Sequence, residues 1–494
     1  MGTSSYRYLL RTDHAKEKDI PMTLQREMTH FAAQVKGKLT RVFDHDHLEA
    51  LARQTGFVQR STNKLTGTAF VELMTTDMLA DAAVSLDGLC DLLRQRQPQA
   101  TMTPQALHQR ILTPQASTYV YEVLQLALRE NLAAVGAQLP ATLLAPFGRV
   151  FLEDSTQCRL HAKLAEDFRG SGGSASISTV KIDLLYDYTH AVIYDLHITD
   201  GTAADQARAA ALVPYVQAHD LVLRDLGYFC LPALRQIANQ QACFLSRLCK
   251  GVQVYLAAND EATALPLVGH LQRHFPHHAV VDLDVYVGQE DKLPCRLIAY
   301  RLPDEVVAHR RRTAYEVARK KGRTPTQEYL AWLQYGWYIT NVSRDVWGAA
   351  VVGTVYRLRW QVELTFRHWK SLLHLHVLKG TRPERIKCLL YGRLITIVIL
   401  NMISAYAAWY AVRSLQREMS THKLINWLKR KSRLAMAIYQ RDIDTLLSNL
   451  RSDMAKMLCK QKRKRKTSRQ LLDDEVHYMD HFLEDEGTSL DKPA

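Results

Sequence analysis

The spacing of hydrophobic and polar positions changes twice along this chain, and each change marks a different kind of element. Up to about residue 140 the apolar residues recur at helical intervals. Asp46 ahead of the run HLEALARQTG, with Glu49 three residues on and Gly56 at the far end, predicts a capped helix. That cap accounts for the run DHDH (Asp44 to His47) more simply than a metal site does. Thr103-Pro104 and Thr113-Pro114 predict two further helix starts, with Arg60, His108, Gln109 and Arg110 on polar faces. From about 148 the runs become short and β-branched. RVFLEDST, STVKIDLLYDY and HAVIYDLHIT predict three strands, with the Gly/Ser-rich AEDFRGSGGSAS as a loop before the second. A helix over Asp205 to Gln217, the strand LVLRD, a helix over Leu231 to Gln240 and the strand ACFLSRL follow. Between 250 and about 345 the strand-like runs VQVYLA, AVVDLDVYVG, PCRLIAYRL and GWYITNV are broken by a basic helical stretch, HRRRTAYEVARKKGR. Helical spacing returns through 355–375, 385–413 and about 421–450.

At 494 residues the chain exceeds one compact core, so two or three domains are expected. Leu394 to Val412 has no charged residue over 19 positions, enough to span a bilayer. It stands alone in a highly charged chain and carries Asn401, Ser404, Tyr406 and Tyr410, so a buried core helix is expected and no membrane. The eight cysteines form no CxxC pair, which disfavours a disulfide framework or structural zinc. With no signal-peptide h-region at the N-terminus, a cytoplasmic chain is expected.

Charge then narrows the partners. Lys plus Arg total 64 against 50 Asp plus Glu, a net +14. Residues 471–494 hold eight acids and one base, so the remaining body carries +21. A body this basic suits a polyanion, with nucleic acid the first candidate. The run KQKRKRK (Lys460 to Lys466) suits nonspecific phosphate contacts from a solvated arm.

The stretch YRLRWQVELTFRHWK supplies the chemistry. Taking Tyr356 as zero on a helix, Arg359 falls at about 300°, Glu363 at about 340° and Lys370 at about 320°. One face thus gathers a phenol, a carboxylate and two cations. A salt-bridged polar stripe would look the same. Yet the group is costly to bury for packing alone, and it suits a phosphate backbone: Glu363 for a divalent metal, Arg359 and Lys370 for phosphate oxygens.

This Tyr-x2-Arg-x3-Glu-x6-Lys spacing resembles the signature of bacterial DDE transposases of the insertion-sequence-four type. In that family the Glu is the third metal-binding carboxylate, and the Tyr, Arg and Lys contact the DNA end. The resemblance implies two more carboxylates at strand ends. Asp154 resembles the family's first-strand Asp, followed by Ser155-Thr156; strand alternation allows only one of Glu153 and Asp154 to face the site. Asp225, before Gly227-Tyr228, resembles the family's strand-Asp-x-Gly-Tyr/Phe pattern. Asp183, Asp187, Asp195 and Asp200 are chemical rivals without that setting. Trp337 resembles a Trp that stacks on a flipped base; a Trp that begins a strand is more often a core residue, and Trp332 and Trp347 are nearby alternatives. Arg310, Arg311, Arg312, Arg319, Lys320, Lys321 and Arg323 line either a DNA groove or a solvated helix.

The implied fold is α/β, a ribonuclease H-like catalytic core (146–249 and 346–415) interrupted by a β-rich insertion (250–345). An α-helical N-terminal domain (1–145) for end binding and a helical C-terminal region (416–494) flank it. The implied function is a DNA transposase that cleaves an insertion element's ends and joins them to target DNA. Its expected cofactor is Mg²⁺, two ions, with Mn²⁺ able to substitute. Its expected partners are terminal inverted repeats, target DNA and a second copy of the chain, in a bacterial cytoplasm at the nucleoid. A metal-dependent nuclease of the same fold and a noncatalytic DNA-binding relic are the alternatives.

Overall fold

A computed structural model describes residues 21–60, 65–77, 79, 85–98, 102–132, 142–172, 176–259 and 263–461. The basic run beyond residue 461 and the acidic tail lie outside the described residues.

The N-terminal part contains α1 (Met22–Val42), α2 (His45–Gln54), α3 (Gly67–Glu72), α4 (Leu86–Arg96), α5 (Pro104–Ile111) and α6 (Pro114–Leu132). The α2 cap is Asp44 and not Asp46: the Asp44 carboxylate accepts from the His47 N–H at 2.8 Å. Glu49 therefore closes no capping box. It accepts instead from the Thr68 N–H (2.8 Å) and hydroxyl (3.0 Å), which ties α2 to α3. The two Thr-Pro starts form as expected, with Thr103 and Thr113 each accepting a backbone N–H at 3.2 Å.

Nine strands follow: β1 (Val150–Arg159), β2 (Thr179–Asp187), β3 (Val192–Asp200), β4 (Leu221–Arg224), β5 (Cys243–Arg247), β6 (Val254–Tyr255), β7 (Val280–Val287), β8 (Leu293–Arg301) and β9 (Tyr335–Thr340). They form one sheet in the order β3-β2-β1-β4-β5-β9-β8-β7-β6. β1, β4 and β5 run parallel, and the other neighbours pair antiparallel. β1 is longer than the sequence pattern indicates because β2 pairs with it from Phe151 to Arg159, so Asp154 lies mid-strand. The helix expected over Asp205 to Gln217 is replaced by two 3-10 turns, Asp205–Arg208 and Val213–Tyr215. Pro214 has no N–H to give a helix, and the Ala209 carbonyl is taken by the Arg224 guanidinium. α7 (Leu231–Asn239) links β4 to β5 as expected.

The segment after β5 holds α8 (Leu267–His274), α9 (Asp304–Lys320) and α10 (Gln327–Trp332) beside β6 to β9. It prolongs the same sheet, since β9 pairs directly with β5. The chain then runs helically through α11 (Ala349–Tyr356), α12 (Trp360–Ser371), α13 (Pro383–Leu415), α14 (Thr421–Lys429), α15 (Arg433–Tyr439) and α16 (Ile443–Asp453).

Alternation along β1 sorts its residues between two cores. Val150 and Leu152 join the larger core with the N-terminal helices and α11 to α16, whereas Phe151 joins a second core with α7 and β6 to β9. α13 is the spine of the larger core. Its apolar stretch is long enough to cross a membrane, but 78% of it is buried against other parts of the protein, α6 and α1 among them.

Candidate functional site

Asp154 lies two residues beyond Leu152 on β1 and so shares its face, toward the helices. Asp225 follows the last residue of β4, on the strand parallel to β1, where Arg224 pairs with Glu153. Glu363 comes from the first turn of α12, which packs on β1. Three separate elements therefore bring these carboxylates together, and one side chain joins them. The Arg359 guanidinium lies 2.6 Å from Glu363, 3.4 Å from Asp154 and 3.7 Å from Asp225. The Tyr356 hydroxyl donates to Asp225 at 3.4 Å. A 3-10 turn at Arg357–Arg359 joins α11 to α12, yet Tyr356 and Arg359 both reach Asp225 while Glu363 pairs with Arg359 one helical turn on.

The electrostatics follow from this enclosure. Burial pushes the Asp154 carboxyl up to about 6; Arg359 and the Ser155 N–H act against the shift, and the charges of Asp225 and Glu363 add to it. Burial opposes the charge on Arg359, but Tyr356, Asp225, Glu363 and Asp154 together hold it protonated above its ordinary range. Burial first, then Asp225, raises the Tyr356 phenol, so it stays a neutral donor.

Lys370 lies seven residues beyond Glu363, about 10 Å along the helix. It is half-buried, without an ion-pair or hydrogen-bond partner among the described residues, and its charge acts on the Cys158 thiol of β1. Trp337, the candidate for stacking on a base, lies on β9. It is 3% exposed, its ring stacks on Trp332 at 4.4 Å, and its Nε1–H donates to the Trp332 carbonyl at 3.0 Å. Its setting is the second core. Of the basic residues on α9 and just after it, Arg310 and Arg311 bond backbone carbonyls, while Arg312, Arg319, Lys320, Lys321 and Arg323 are exposed. Trp347 is buried and donates to the Leu143 carbonyl at 2.8 Å.

The donor set at the site is all oxygen, which suits a hard divalent cation. Among the described residues no three acidic, imidazole or thiol groups are arranged to share one ion, and at this site the Arg359 guanidinium contacts all three carboxylates. The sequence pattern gave no sign of that central position for Arg359; it emerges only when three elements meet. The pairing of Glu363 with Arg359 was legible as an i,i+4 spacing.

A family model described as the transposase DDE domain matches residues 145–399, just over half of the chain. The chain belongs to this family. This DNA transposase is 26% identical over 438 residues to the transposase for insertion sequence element IS231B of Bacillus thuringiensis subsp. berliner, covering 86% of its own chain and 90% of the relative. It is 29% identical over 278 residues to the transposase for insertion sequence element IS1151 of Clostridium perfringens, covering 54% and 59%. Among solved structures, a piggyBac transposase synaptic complex with hairpin DNA covers 87% of each chain at 10% identity and a TM-score of 0.42. The insertion-sequence DDE transposase expected from the spacing of Tyr356 to Lys370 is thus what the chain is.

Proposed function

We propose that this transposase cuts the ends of an insertion element and joins them to target DNA through Asp154, Asp225 and Glu363, which would hold two Mg²⁺ ions, or Mn²⁺ in their place. The observation that carries the reading is the meeting of these three carboxylates around Arg359 from β1, the end of β4 and α12. Bound divalent ions would activate the attacking oxygen and stabilise the leaving one. The chain's own groups do the remaining work. Arg359 balances the carboxylates in the free protein and turns to a phosphate as DNA and metal arrive. Tyr356, kept neutral, orients Asp225 by its hydrogen bond. Lys370 supplies a point charge to the end's phosphates further along α12. Contact of Trp337 with an extruded base belongs to the same reading and requires Trp332 to leave the stack.

The strand order β3-β2-β1-β4-β5, with three antiparallel strands followed by two parallel ones, supports a ribonuclease H-like core. On that reading 146–249 and 346–415 form the catalytic core, 250–345 the insertion, 1–145 the end-binding helices and 416–494 the C-terminal region. Two ends must meet for joining, so the working form is a homodimer on DNA, at the bacterial nucleoid.

Pre-cut element ends incubated with target DNA and Mg²⁺ test the joining step. Joined product is expected. Hydrolysis alone would reduce the activity to that of a nuclease of the same fold.

A further inference from the structure

The two aspartates of the site face the helices, and their neighbours in sequence face the other way into a buried charged network. On β1, Glu153 and Ser155 flank Asp154; on β4, Arg224 precedes Asp225. Arg224 is fully enclosed, with its guanidinium 3.2 Å from the Glu153 carboxylate. Lys181 of β2 is 1% exposed. Its ammonium lies 2.6 Å from Asp205 and 3.3 Å from Asp183 and donates to the Ala203 carbonyl at 2.9 Å. Asp205 in turn accepts from the Ser155 hydroxyl at 3.0 Å, and Asp183 accepts from the Tyr228 hydroxyl at 2.9 Å. Asp205 also packs against the turn after Asp225, where a Cβ on Gly227 would stand 2.7 Å from its Oδ2.

Enclosing Lys181, Arg224, Glu153 and Asp183 behind one strand pair is a costly way to fill space, since apolar groups of the same volume often serve stability equally well. The network has a specific geometric product. One end is Ser155, the residue after Asp154. The other is the Gly227-Tyr228 turn directly after Asp225. Paired charges with fixed hydrogen-bond directions hold such segments in one register, where apolar packing tolerates slippage.

We infer that Lys181, Asp183 and Asp205, with Ser155 and Tyr228 at the ends, form a positioning network that fixes the backbone carrying Asp154 and Asp225, on which their joint hold on a metal depends. These residues touch no substrate; they act through the backbone of β1 and of the Asp225 turn. The inference rests on the reading of Asp154 and Asp225 as metal ligands.

Tyr228→Phe removes one hydroxyl and leaves every charge paired, which makes it the primary test on the full chain. Three quantities are read: the melting temperature, Mn²⁺ binding without DNA by calorimetry, and end cleavage as a function of Mn²⁺. Outer residues that orient ligands typically change metal affinity about 10- to 100-fold. A melting temperature near that of the parent, a Mn²⁺ dissociation constant raised about tenfold, and an equal rise in the Mn²⁺ needed for half-maximal cleavage are expected. Unchanged Mn²⁺ affinity in the folded variant overturns the network's role. If Tyr228→Phe does not fold, Ser155→Ala cuts the other end and carries the same expectation. Glu363→Gln in the same series separates the two claims. If it loses Mn²⁺ binding while Tyr228→Phe does not, the network alone is refuted; if it too binds Mn²⁺ as the parent does, the metal-site reading is refuted and the network with it.

Discussion

A guanidinium set between three carboxylates neutralises charges that would otherwise repel one another in a partly buried site, and Arg359 holds that position. Its side chain is 18% exposed, against 17% for Asp154 and 32% for Glu363, so solvent screens the group only in part. Truncating one partner of such a group leaves like charges uncompensated. Arg359→Gln is therefore expected to lower the melting temperature in EDTA by about 2–6 °C. Mg²⁺ should restore more stability to the variant than to the parent, because the ion takes over the neutralising charge. Equal melting temperatures in EDTA would contradict the balancing role. At this scale the spacing of Tyr356, Arg359, Glu363 and Lys370 was legible because a helix repeats regularly. The surroundings of Trp337 were not legible: the start of a strand says nothing of which neighbour covers its ring, and here Trp332 does.

Among the elements, α13 shows how closely the N-terminal part of the protein packs on it. A Cβ on Gly392 would stand 2.1 Å from the Met74 carbonyl oxygen, a backbone atom that cannot turn aside. Gly392→Ala should destabilise the protein by about 1–3 kcal/mol or more through overpacking. Gly269 in α8 has nothing within 4 Å of the same position. Gly269→Ala should be neutral or stabilising by up to about 1 kcal/mol. Parallel urea unfolding of the two variants checks the contrast, and similar midpoints would refute it. Most strands and helices were legible from period and punctuation, including both Thr-Pro starts and α7. The exceptions share a cause. Asp205 to Gln217 looks helical, but its Ala209 carbonyl is claimed by Arg224 from β4, a tertiary partner that periodicity does not encode. The α2 cap moved by two residues because Glu49 found Thr68 instead of its own helix end.

Across the whole molecule, residues 250–345 are not a detached unit, since their strands continue the sheet through β9 and β5. That pairing joins residues nearly a hundred positions apart, and nothing in either run's composition announces its partner. The reverse-face network was equally hidden: no spacing along the strand runs marks Lys181 or Arg224 as buried. Charge distribution, by contrast, was open to reading. Deleting residues 471–494 takes the net charge from +14 to +21. Nonspecific duplex binding at low salt should tighten by about threefold or more, and the difference should fade as salt rises. Fluorescence anisotropy with a random duplex measures it; equal affinities at low salt would show that the acidic tail does not shield the basic body. The central claim, that the converging carboxylates act as metal ligands for DNA cleavage, is tested most directly by Asp225→Cys. A thiolate is a poor ligand for Mg²⁺ and a better one for Mn²⁺. End cleavage by this variant should be lost in Mg²⁺ and partly recovered in Mn²⁺, with end binding retained in both. Undiminished cleavage in Mg²⁺ would contradict the assignment.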